Sequence, residues 1–162
     1  MSFNHFDGEG RAHMVDVTAK EVTDREARAE SSIRLGPELL AAVLDRDIVK
    51  GDVFGVARLA GIAAVKKTSD LIPLAHPLAI HHAAVEFTPD LTDGTVRVVC
   101  TVRAREKTGV EMEAMTGASV AALAVYDMCK GRDKSLTIGP VRLLYKSGGK
   151  SGTFMAKDEP TS

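Results

Sequence analysis

The chain has 162 residues, of which 44% are hydrophobic and 4% aromatic, with no tryptophan and a formal net charge of -1. That suits one domain with a buried core and excludes a strongly basic or aromatic surface for nucleic acid. No run approaches the ~20 apolar residues that span a bilayer, and Met1 to Arg11 lacks the apolar centre of a signal peptide.

Residues 1–13 and 153–162 are polar and aperiodic, so they read as flexible tails around a single domain over 14–152. The first strand is expected over Glu26 to Arg34, where Ala27, Ala29, Ser31 and Ile33 alternate with Glu26, Arg28, Glu30 and Ser32. One face of it is therefore wet. Gly36-Pro37 opens a short helix with Leu39, Leu40, Val43 and Leu44 on one side. A second helix is predicted from Asp52 to Lys67, with Val53, Ala57, Ala60 and Ala64 as its stripe and Lys66 and Lys67 at its negative end. Pro73 and Pro77 hold the segment Leu71 to Leu78 extended.

Ala83, Val85 and Phe87 mark the next strand, and Val96, Val98, Cys100 and Val102 the one after it. Asp93-Gly94 lies between them and predicts a hairpin. The longest helix runs from Gly109 to Lys130, and Val141, Leu143 and Tyr145 form a last strand. The order of strand, helices, strand, strand, helix, strand fits an α+β ferredoxin-like sandwich, with helices on one face of an antiparallel sheet.

Several chemistries are absent as motifs. Gly148-Gly149-Lys150-Ser151 resembles the end of a phosphate-binding P-loop, but Leu144 replaces its first glycine. A glycine-rich turn with Lys150 can still present N–H groups to a phosphate, although by itself it is more often an ordinary surface turn. Cys100 and Cys129 show no CxxC spacing, which points to a reducing cytoplasm and away from a thiolate metal site. His81 and His82 are neighbours on a strand and face opposite ways, so they cannot jointly grip a metal. No metal ligand set is expected.

The long helix carries the most information. Thr108 and Glu111 have capping-box spacing. Met112, Met115, Ser119, Ala122, Tyr126 and Cys129 recur at three and four residues as an expected buried stripe, while Gly117, Ala118, Ala121 and Ala124 permit close approach of a neighbour. Asp127 and Lys130, three apart, make an ordinary surface ion pair unless a site uses them. Glu113 and Asp127 share a face but lie roughly 21 Å apart along the axis. If both are functional, the ligand is long or two subunits build the site. Lys50, Lys66, Lys67, Lys130, Lys146 and Lys150, near glycines or element ends, suggest a phosphorylated small molecule.

Four segments carry a resemblance: Met14-Val15-Asp16-Val17; Lys50-Gly51-Asp52-Val53 with Leu71-Ile72-Pro73-Leu74-Ala75-His76-Pro77; Thr108 to Ala114 with Tyr126-Asp127-Met128-Cys129-Lys130; and Lys146 to Gly152. Together they resemble the cyclic pyranopterin monophosphate synthase family, over residues 13–152. The resemblance implies conversion of 3′,8-cyclo-7,8-dihydro-GTP to cyclic pyranopterin monophosphate with release of pyrophosphate, in molybdenum-cofactor synthesis. It implies Asp127 as acid/base with Lys50 and Lys130 assisting. Leu74, Ala75, His76, Glu111, Met112 and Glu113 are then substrate contacts, and Arg25, Lys66, Lys146 and Lys150 phosphate contacts.

The family forms hexamers, trimers of dimers with sites at a dimer interface. No tightly bound cofactor is implied, with Mg²⁺ accompanying the triphosphate left open. Ala75 stands where the family usually has Cys. The residues alone also fit a non-catalytic nucleotide-binding module or a structural oligomerisation domain.

Overall fold

The computed structural model describes residues 5, 7–45 and 51–157. Lys50 lies outside the described residues. Strand β1 (Thr23–Arg34) buries alternate residues from Arg25 to Ile33, as its period of two requires. Its register with β3 (Thr95–Glu106) is unbroken and antiparallel, from Thr23 opposite Glu106 to Arg34 opposite Thr95. Val96, Val98, Cys100 and Val102 are fully buried on the shared face. β2 (Ile80–Asp90) returns beside β3, and the connection closes with the Gly94 amide donating to the Asp90 carbonyl at 3.0 Å.

The sheet is completed by β4 (Thr137–Ile138), β5 (Arg142–Ser147) and β6 (Phe154–Met155). The strand order is β2-β3-β1-β5-β6, with β4 also pairing β1. The first four of these give the interleaved antiparallel order of a ferredoxin-like sandwich. The open face carries ion pairs: Glu30 accepts from Arg97 at 2.5 Å and Arg142 at 2.6 Å, and Glu26 from Arg103 at 2.6 Å.

Helices cover the other face. α1 (Pro37–Leu44) buries Leu40 and Val43 but leaves Leu44 exposed. α2 (Val53–Lys66) starts where the Asp52 carboxylate accepts from the Gly55 amide at 2.9 Å. Its buried face is Val53, Ala57, Gly61, Ala64 and Val65, so Gly61 and Val65 take the place expected for Ala60. A helical turn, α3 (Thr68–Leu71), precedes the segment expected to be extended and takes in only its first residue; it is anchored by the buried Thr68 hydroxyl donating to the Ala64 and Val65 carbonyls. No helix among the described residues is long and apolar enough to cross a membrane.

α4 (Glu111–Cys129) corrects the expected phase. Ala122 and Cys129 of the expected stripe are buried together with Ala114, Gly117, Ala118, Ala121 and Val125, whereas Met112 is 40% exposed and Met115, Ser119 and Tyr126 are only partly buried. The small residues are the buried face because α2 and the sheet come too close for anything larger. A Cβ on Gly117 would lie 2.6 Å from Cys100 Sγ and 2.7 Å from Val65 Cγ2, and one on Gly61 would lie 3.0 Å from Ala121 Cβ. The capping box does not form, since Val110 is the N-cap and no side chain caps it.

β5 differs from expectation as well. Tyr145 pairs Arg28 and Leu143 pairs Ala29, so Leu144 is the extra residue of a bulge. Leu144 becomes the fully buried side chain, while Val141 is exposed and Leu143 and Tyr145 only partly buried.

Candidate active site

The short Lys107–Val110 connection sends α4 back along β3. α4 therefore starts at the sheet end that holds Thr23, Glu106 and Ser147, and finishes at the end that holds Arg34 and Thr95. α2 lies antiparallel to α4, since Gly61 meets Ala121 while Val65 meets Gly117. The C-terminal end of α2, with Lys66, thus accompanies the start of α4. The N-terminal end of α2, with Asp52, accompanies Asp127 and Lys130. The expected site residues sort into two groups by this geometry.

The first group surrounds a cleft of about 300 Å³ at the start of α4. Leu74, Ala75, His76 and Leu78 form one side, and Glu111, Met112 and Glu113 form another. Glu113 is only 4% exposed. Burial raises its carboxyl to about 7, with the negative Glu111 adding to the effect. The Glu111 carboxylate folds back over Gly109, where a Cβ would meet its Oε2 at 1.9 Å. Any side chain at 109 would push that carboxylate away.

His76 sits in the cleft as expected, but its ring is already engaged. Nε2 is 2.8 Å from the Val15 carbonyl oxygen. A carbonyl only accepts, so this nitrogen carries the proton and Nδ1 of the neutral ring is an acceptor. Val15, Val17 and Lys20 supply a third wall, which residue type and spacing along the chain do not place in a site. The signal in the sequence is the Met14 to Val17 motif, which by itself assigns no side-chain role. Thr108 and Gly109 line the cleft between that wall and α4, and His5 completes the lining.

Arg25 lies at the same end. It is 9% exposed, and its Nε and Nη2 donate to the carbonyls of Glu106 at 3.1 Å and Lys107 at 3.0 Å. Its guanidinium packs beneath the Gly148-Gly149 turn, where a Cβ on Gly149 would come within 1.9 Å of Nη1. Both glycines have positive φ, 92° and 75°, so the turn needs glycine for conformation and for clearance. Lys146 Nζ donates to the Ser151 hydroxyl across this turn, and Lys150 is exposed at its tip. Lys66 is exposed at the end of α2.

The second group is at the other end of α4. Asp127 and Lys130 are solvent-exposed and joined by a salt bridge. The hydrogen bond and charge of Asp127 raise the Lys130 ammonium above the ordinary lysine value. This pair is therefore an ionised carboxylate beside a persistent cation. A base and an acid stand next to each other there, facing solvent and not the cleft.

Neither cysteine joins either group. Both are buried, and burial pushes the Cys100 thiol up to about 12.

Comparison with known proteins gives the family. The MoaC family model matches residues 14–149. The chain is 67% identical to a cyclic pyranopterin monophosphate synthase of Geotalea uraniireducens (strain Rf4), over 98% of this chain and 99% of that protein. Proteins with the same name from Pelobacter propionicus (strain DSM 2379 / NBRC 103807 / OttBd1) and Geobacter sulfurreducens (strain ATCC 51573 / DSM 12127 / PCA) are 63% and 62% identical, each over 98% of this chain and 99% of the relative.

Proposed function

The chain belongs to the MoaC family, and from that premise we propose that it is a cyclic pyranopterin monophosphate synthase, a lyase of molybdenum-cofactor biosynthesis. The observation that carries the reading is the 67% identity to a protein of that name across nearly the whole chain. The substrate is 3′,8-cyclo-7,8-dihydro-GTP, and the products are cyclic pyranopterin monophosphate and pyrophosphate. Closing the cyclic phosphate forms one P–O bond and breaks the bond to the leaving pyrophosphate. Rearranging the base into a pterin needs protons moved on and off nitrogen and carbon.

Asp127 is the acid/base, held ionised in its pair with Lys130. Lys130, kept protonated by that pairing, donates a proton or stabilises developing negative charge, with Lys50 assisting. Leu74, Ala75, His76, Glu111, Met112 and Glu113 hold the base end. Arg25, Lys66, Lys146 and Lys150 face the phosphates. Ala75 stands in place of the family's usual Cys, so either the chemistry needs no thiol there or this chain binds differently beside His76.

A complete site takes its two halves from different subunits of a hexamer built as a trimer of dimers. Supporting this is the separation of the two groups on one chain, roughly 21 Å along α4. Across an interface the opposite ends of α4 can meet around one compact substrate.

The test is direct. Purified protein given the cyclised nucleotide is expected to release pyrophosphate and the cyclic pterin. Asp127→Asn is expected to keep the oligomer and the fold while forming no product. A fully active Asp127→Asn would remove that residue from the chemistry, and an inert wild-type protein would reject the function.

A further inference from the structure

The wall formed by Val15 to Lys20 brings a cation into the cleft that the proposed chemistry does not use. The segment has no regular strand or helix, so its position depends on individual bonds. His76 Nε2 donates to the Val15 carbonyl at 2.8 Å, and Lys107 Nζ to the Thr18 carbonyl at 2.7 Å. Inside the segment, Asp16 accepts from the Thr18 amide at 2.8 Å, and the Lys20 amide donates to the Val17 carbonyl at 3.0 Å. Lys107 is fixed in turn, because Arg25 donates to its carbonyl. The strap thus ends in a defined turn, and Lys20 lines the same cleft as Glu111 and Glu113. Among the described residues its ammonium makes no ion pair or hydrogen bond.

A lysine is a pure donor and a carboxylate a pure acceptor when ionised. A triphosphate is a poor occupant for a cleft that also holds Glu111 and Glu113, because like charges repel. A neutral ring with both donors and acceptors on one edge suits it better. A guanine-type edge presents a carbonyl oxygen beside a ring N–H and an amino group. An adenine-type edge puts an amino donor where that oxygen stands, and would set it against the ammonium.

We propose that Lys20 is a substrate-binding and specificity residue, donating to the carbonyl oxygen of the guanine-derived ring while the carboxyl groups of the cleft take the N–H edge. The proposal rests on the synthase reading, since it takes the ring from that substrate. His76 and Lys107 are then positioning residues that hold the strap.

GTP and ATP, titrated calorimetrically against the intact oligomer, serve as stable probes of the edge. Wild-type protein is expected to prefer GTP by about tenfold or more, the worth of one charge-assisted hydrogen bond. Lys20→Met is expected to lose about tenfold on GTP and under about twofold on ATP, and to raise KM for the cyclised nucleotide with kcat within about threefold. Lys20→Arg keeps a donor and is expected to retain most of the preference. Lys20 is exposed, and a thermal melt checks that each variant folds.

Equal losses on both nucleotides would assign Lys20 to phosphate and overturn the proposal. Unchanged binding, or a wild-type protein indifferent to the base, would overturn it as well. A protein that prefers GTP through Lys20 yet makes no product from the cyclised nucleotide would sink the synthase reading and leave this one standing.

Discussion

Glu113 and Asp127 are carboxyl groups on one helix in opposite surroundings. Asp127 is exposed and paired with a cation, whereas Glu113 is buried beside another acid. The consequence for Glu113 is a pH-dependent stability. Its carboxyl titrates near 7 in the fold, against an ordinary value of 4.5. The folded state therefore holds a proton that the unfolded chain releases first. The contribution is fully present below pH 4.5 and is lost as pH rises through about 7. The loss amounts to at most about 3 kcal/mol, reduced where water reaches the carboxyl. Urea midpoints of wild type and Glu113→Gln, measured from pH 4.5 to 8, are expected to diverge as the wild type weakens. Parallel profiles would show that Glu113 ionises without cost.

At the scale of elements, the instructive cases are β5 and α4. Alternation along 141–145 points to Val141, Leu143 and Tyr145, yet the bulge opposite Arg28 and Ala29 turns Leu144 inward. Leu144→Ala is expected to cost about 2–4 kcal/mol, because it opens a cavity in a sealed site. Leu143→Ala, at a partly buried position, is expected to cost less than about half of that. Denaturant unfolding of the two variants decides it, and equal losses would reject the bulged register. In α4 the methionines suggested one face and the alanines another. Small side chains won because the helix crossing leaves no room, with Gly61 and Gly117 set against Ala121, Val65 and Cys100.

On the proposed reading the whole molecule presents two half-sites, one at each end of α4. If subunits share them, two inactive variants should rescue each other. Glu113→Ala mixed with Asp127→Asn is expected to return about a quarter of wild-type activity, since half the dimers are mixed and each restores one of two sites. Subunit exchange is verified by a mass tag on one variant. Mixed oligomers that stay inactive would mean that each chain supplies both residues to its own site.

Much of this was legible in the residues. The element order, the inward faces of β1 and β3, the hairpin at Asp93-Gly94 and the Asp127–Lys130 pair all follow from neighbours along the chain, and local sterics and spacing act at that range. The family followed from four separated motifs, which also named most of the candidate site. Tertiary structure decided the phase of α4, the bulge at Leu144 and the third wall of the cleft. Alanine and glycine gain little from burial, so their pattern cannot say which helix face turns inward until a neighbour comes close. The strap depends on His76 reaching Val15, 61 residues earlier, and on Lys107 reaching Thr18, 89 residues earlier. No periodicity encodes contacts of that kind, because they exist only once the sheet has brought the ends together.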